Sequence, residues 1–122
     1  MIISEISYHL VLLTNIQEYF EPKMKSDLAI IIPDILVEYG CVLERLTVSP
    51  DRVYLHLTAS PKFPPAEIAE AVATNASIRL KRMYKKLDGF KQVFREDYYF
   101  KTGKKPTKGQ LDDFIKIVKE GI

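Results

Sequence analysis

The side chains able to hold a charged ligand are unevenly spread along this chain. Arg79, Lys81, Arg82, Lys85 and Lys86 fall within eight residues. Residues 1–74 carry 5 Lys/Arg against 10 Asp/Glu, whereas residues 75–122 carry 13 against 6. Between Arg79 and Lys108 there are 11 basic and 3 acidic residues. Such asymmetry suits a polyanion such as nucleic acid. A solvated, lysine-rich face would give the same count. Arg82 and Lys86 are four apart, which on a helix is one face, with Arg79 and Lys85 flanking. Tyr54, Tyr98 and Tyr99 offer rings on which bases could stack; packing into a core is their competing use. The histidines are His9 and His56, and the single cysteine is Cys41. One cysteine excludes an internal disulfide and a Cys-based zinc cluster. No Gly-rich phosphate loop, paired-Cys motif or nucleophile elbow is present.

These residues need a scaffold, and the apolar pattern describes one. Ile6 to Thr14 (ISYHLVLLT) is short, apolar and rich in β-branched and aromatic residues, so it reads as a strand. Asn15 to Pro22 is loop. Lys25 to Tyr39 places Leu28, Ile31, Ile32, Ile35 and Leu36 at helical spacing, stopped by Gly40. Pro33 is awkward there, because it removes a backbone donor. Cys41 to Val48 and Arg52 to Ser60 are strands joined through the turn signal Ser49-Pro50-Asp51, an antiparallel hairpin. After a loop with three prolines, Ala66 to Leu87 reads as a helix with Ile68, Val72, Ile78, Leu80 and Met83 as apolar candidates. Asn75 and Ser77 could split it. Tyr98 to Thr102 is a short fourth strand. Leu111, Phe114, Ile115 and Val118 mark a last helix, with Asp112 and Asp113 near its positive end.

The order strand, helix, strand, strand, helix, strand gives an α+β, ferredoxin-like split βαβ plan, with helices on one face of an antiparallel sheet. The other face must be covered by the last helix, a second subunit or a ligand. At 122 residues the chain is expected to be a single domain, 1–122. Its 47% hydrophobic content is enough for a core. No apolar run reaches the ~18 residues of a membrane span. The start, MIISEISYHLVLL, lacks a basic n-region and a cleavage site, so no signal peptide is expected. A cytoplasmic protein is the expectation.

Several segments together resemble a known family. Tyr8 to Val11 (YHLV) followed by Thr14 resembles the first strand of the single-tyrosine HUH transposases of the insertion-sequence-200 type. Glu38 to Lys62, with its Pro-Asp turn, resembles that family's second hairpin. Ser77 to Leu80 resembles its serine-arginine-leucine helix segment, Asp97 to Gly103 (DYYFKTG) its tyrosine-aromatic strand, and Leu111 to Val118 (LDDFIKIV) its last helix. The resemblance spans nearly the whole chain. It implies single-stranded or hairpin DNA as partner, a homodimer, and a divalent metal such as Mg as cofactor. In the family two histidines alternate on the third strand and hold the metal, and a tyrosine on the last helix attacks the scissile phosphate.

At those positions this sequence departs from the pattern. Aligned on Pro50-Asp51, the two histidines fall on Arg52 and Tyr54. Arginine has no lone pair for a metal, and neutral tyrosine is a poor ligand. The nucleophile falls on Phe114 and the glutamine ligand one turn later on Val118. No tyrosine lies within Gly103 to Ile122, so the loss does not depend on register. The expectation is therefore a transposase-like DNA-binding protein without cleavage, with no catalytic set and no retained metal ligands. Arg52, Arg79, Lys81, Arg82, Lys85 and Lys86 are its candidate DNA contacts. Arg52 would put a guanidinium where the metal sat, able to grip a phosphate directly. His56 is a weak candidate metal ligand. Two alternatives stand beside this. One is an active metal-dependent transposase with a displaced site around His56 and Tyr98 or Tyr99. The other is a dimeric ferredoxin-like interaction protein that binds no nucleic acid.

Overall fold

The computed structural model describes residues 6–120. Four strands, β1 (Ile6–Thr14), β2 (Cys41–Ser49), β3 (Arg52–Ala59) and β4 (Phe94–Thr102), form one sheet in the order β2-β3-β1-β4. All three pairings are antiparallel. Helices α1 (Lys23–Val37) and α2 (Pro65–Met83) connect the strands, and α3 (Lys108–Glu120) follows β4. This strand order is the ferredoxin-like arrangement: β3 lies between the parallel-running β1 and β2.

β1 does not alternate in polarity, and its position explains why. Tyr8 to Leu13 are all buried. Tyr8, Leu10 and Leu12 enter the main core with α1 and α2. Val11 and Leu13 face the other way, into a smaller cluster with Tyr54 and Ile115 of α3. A strand covered on both faces reads as a continuous apolar run. Of the three candidates for covering the second face, the last helix is the one that docks there. Leu111, Phe114 and Val118 complete the contact.

α1 begins two residues earlier than its apolar spacing suggests and contains Pro33. The donor that proline lacks would have reached the carbonyl of Ala29, which is exposed, so water can satisfy it. α1 is followed by Gly40 at φ +66°, a left-handed conformation that closes helices at little cost only for glycine. β4 starts four residues before the predicted Tyr98, because Val93 and Phe94 plug the core and Asn15 N–H donates to the Val93 carbonyl.

The largest correction concerns the second helix. It was expected to run to Leu87; α2 ends at Met83, and Lys85–Leu87 form a separate 3-10 turn. The chain leaves the helix at Tyr84, which is extended, and the turn that follows holds Leu87 fully buried in the core. Arg82 and Lys86 therefore do not share a helix face. Asn75 and Ser77 do not split the helix. Asn75 Nδ2 donates to the Ala71 carbonyl, and buried Ser77 Oγ accepts from Val93 N–H. Ile78 and Met83, expected in the core, are 43% and 50% exposed.

Candidate nucleic-acid interface

The four positions that the resemblance aligns with the family's catalytic residues, Arg52, Tyr54, Phe114 and Val118, lie on the α3 side of the sheet. Tyr54 is buried, and Phe114 and Val118 pack against the cluster that contains it. Phe114 also sits 5.6 Å, centroid to centroid, from Tyr99. Arg52 lies at the near end of β3, held by its neighbour: Nη2 and Nε donate to the Asp51 carboxylate at 3.0 and 3.3 Å. Its guanidinium is thus engaged in a surface ion pair rather than aimed free into the patch. Tyr54, the second of the two histidine positions, uses its hydroxyl internally.

The partner of that hydroxyl is His9. His9 Nε2 lies 2.7 Å from the Gly103 carbonyl. A carbonyl only accepts, so Nε2 carries the proton and Nδ1 is the lone-pair nitrogen. Tyr54 Oη–H then donates to Nδ1 at 2.7 Å. Gly103 has φ +81° and its N–H donates to the Ser7 carbonyl, so this loop needs glycine. His56 stacks on His9 with ring centroids 4.6 Å apart, and its Nε2 is hydrogen-bonded to Ser7 Oγ at 2.7 Å. Burial holds the His9 pKa below its ordinary value. The Gly103 carbonyl opposes this shift, while the neighbouring His56, Lys101 and Lys105 add to it. Burial pushes the Tyr54 phenol up, and the charge of Arg45 partly offsets that. Among the described residues no group of three His, Cys, Asp or Glu side chains is placed to hold a metal ion. The donors that a hard divalent ion would need at this place are an arginine in an ion pair, a hydrogen-bonded tyrosine and a valine. The residues present do not fit the family's metal.

The candidate DNA contacts divide between two faces. Arg52 belongs to the α3 side. Arg79, Lys81 and Arg82 are on α2 and Lys85 and Lys86 on the turn after it, in the layer beyond the opposite face of the sheet. Two of these five are spent within the molecule: Arg79 Nη1 meets Asp34 Oδ2 at 2.8 Å, and Lys86 Nζ meets Glu21 Oε1 at 3.0 Å. Both pairs tie this region to α1 and its approach. As exposed ion pairs they contribute little. Arg79→Ala should lower unfolding free energy by no more than about 1 kcal/mol in urea denaturation; a larger loss would mean the pair fixes the α1–α2 packing. The tyrosines divide too. Tyr54 and Tyr99 lie toward α3, while Tyr98 packs against the main core.

Sequence reasoning missed Arg45, Lys101 and Lys105. Arg45 is directly opposite His56, His56 opposite His9, and His9 opposite Lys101. Paired residues of a sheet share a face, so these four form one row across all the strands. Lys105 Nζ lies 5.1 Å above the Tyr54 ring. No local sequence signal pointed to the row, because it is built from strand register.

The fold and this site define a class: a ferredoxin-like domain whose second sheet face is partly covered by its own C-terminal helix. The sequence matches the family described as "Transposase IS200 like" over residues 2–117, and the chain belongs to that family. Its fold is similar to that of a Deinococcus radiodurans protein described as a transposase. The TM-score is 0.83 at 23% identity, with 94% of this chain and 92% of that one covered. It is also similar to a REP-associated tyrosine transposase bound to a REP hairpin. That TM-score is 0.58 at 11% identity, covering 95% of this chain and 68% of the other. No curated protein matches the chain. No helix among the described residues is long and apolar enough to cross a membrane.

Proposed function

We propose that this chain is a DNA-binding member of the transposase family that recognises single-stranded or hairpin DNA without cutting it. The observation that carries this reading is the content of the α3 face. The nucleophile position is a phenylalanine packed beside Tyr99, and the two histidine positions hold an ion-paired arginine and a tyrosine bonded to His9. The position aligned with the family's nucleophile carries no hydroxyl, and the two aligned with its histidines carry no imidazole. The fold is that of the family throughout. A tyrosine transposase of similar fold is bound to a REP hairpin in its structure, which supports hairpin DNA as the ligand class. The excess of basic residues after residue 74 supports a polyanion. A homodimer, as the family resemblance implies, would double the contacts available to a hairpin.

The test is a titration of a labelled single-stranded hairpin at several salt concentrations, with a linear duplex as control. Hairpin-selective binding should weaken linearly on logarithmic axes as salt rises, with a slope of roughly −0.7 to −0.9 per phosphate contacted. The hairpin should stay uncut, with no covalent protein adduct, whether Mg or EDTA is present. Cleavage that EDTA stops would favour the displaced active site instead. Binding no better than the duplex at low salt would leave the domain as an interaction module.

A further inference from the structure

We infer that the cross-strand row Arg45–His56–His9–Lys101, continued by Lys105, is a metal-free track for the phosphodiester backbone of single-stranded nucleic acid. This rests on the DNA-binding reading above and assigns it a surface. The row runs perpendicular to the strands across the full width of the sheet, one residue from each strand. At about 4.8 Å between neighbouring strands, its ends lie roughly 14 Å apart. That is room for two or three successive phosphates.

The row carries no acidic side chain. Here both ends are cationic and the two middle positions are imidazoles. Neither Arg45 nor Lys101 forms a salt bridge among the described residues. Lys101 Nζ instead donates to the Lys104 carbonyl at 2.9 Å, which fixes the loop carrying Lys105. Lys105 in turn stands over the Tyr54 ring. The fields of Arg45, Lys101 and Lys105 all reach the His9–Tyr54 pair. Uncompensated positive charge converging from β2, β4 and the loop before α3 is what a bound anion would neutralise. Arg45 is exposed and His56 and Lys101 are half-buried, so the row is open toward its ends, while His9 within it is buried. The adjoining row, Thr47–Tyr54–Val11–Tyr99, is the one α3 packs on: Tyr54 and Val11 are buried and Tyr99 is half-buried against Phe114.

The experiment compares two double variants that both spare the core. Arg45→Gln with Lys101→Gln removes the ends of the track. Arg82→Gln with Lys85→Gln removes cations from the opposite layer. The probe is a fluorescein-labelled thymidine 20-mer, read by anisotropy at several salt concentrations, with circular dichroism to check folding. The first variant should bind more weakly and lose about two from its salt slope, one for each phosphate contact. The second should keep the wild-type slope. In parallel, NMR of the imidazoles should show the His9 titration moving upward when the oligonucleotide is added. If the second variant alone loses slope and His9 does not move, the track is refuted while nucleic-acid binding stands on the helical side. If the wild type does not bind the oligonucleotide at low salt, the track and the DNA-binding reading fall together.

Discussion

Phe94→Ala is expected to cost about 3–5 kcal/mol of folding stability. Phe94 is 1% exposed and is the first residue of β4. It pairs with Thr14 just beyond the register shift between β1 and β4, where the ladder is interrupted. Hydrogen bonds cannot hold that end of the edge strand alone, so the buried ring carries the attachment. Its neighbour Val93 is also fully buried and is bonded to Ser77 of α2 and to Asn15. Removing the ring opens a cavity at the point where β1, β4 and α2 meet. Small domains have about 5–15 kcal/mol to lose. The thermal midpoint should therefore fall by at least ten degrees or so. Thermal and urea unfolding would measure this. A loss below about 1 kcal/mol would mean that β4 is held by its ladder with β1 instead.

The same residue marks where sequence reading reached its limit. The alternating and continuous apolar runs located all four strands, and the Pro-Asp turn located the hairpin. Helical spacing found Leu28, Ile31, Ile32, Ile35 and Leu36, all buried. The start of β4 was not legible, because Phe94-Arg-Glu-Asp is mostly charged and its strand character comes from one ring and from pairing with β1. The end of α2 was not legible either. Lysines are good helix formers, and the helix ends where Tyr84 takes an extended conformation that no local breaker announces. For the site, the family resemblance pointed to Arg52, Tyr54, Phe114 and Val118, and the fold places these positions on the α3 side of the sheet. Proximity along the sequence was a poorer guide to charge. The basic residues 79–86 looked like one patch, but two are neutralised by Asp34 and Glu21. The cations that face the altered site are dispersed at Arg45, Lys101 and Lys105, where only the register of the sheet unites them.

The second large effect should follow from Tyr54→Phe. The ring would still fill its place under α3, but His9 Nδ1 would lose its donor inside a site where His9 is only 4% exposed. An acceptor stranded in this way costs about 1–3 kcal/mol, far more than the loss of a hydroxyl at the surface. Acid should strain the same group in the unaltered protein. Burial and the charges of Lys101 and Lys105 disfavour the imidazolium, so His9 titrates below its ordinary value of 6.5 in the folded chain. The unfolded chain then takes up the proton first as pH falls. The contribution of neutral His9 to stability is complete above about 6.5, declines as pH drops below that value, and levels off beneath the folded pKa. Urea unfolding between pH 7.5 and 5, with the His9 imidazole followed by NMR, would separate this from carboxylate titration at lower pH. If His9 titrated at or above 6.5 in the folded protein, the hydrogen-bonded pair would not be the neutral Tyr–His unit drawn here. The imidazolium would then donate from both nitrogens, to the Gly103 carbonyl and to Tyr54 Oη.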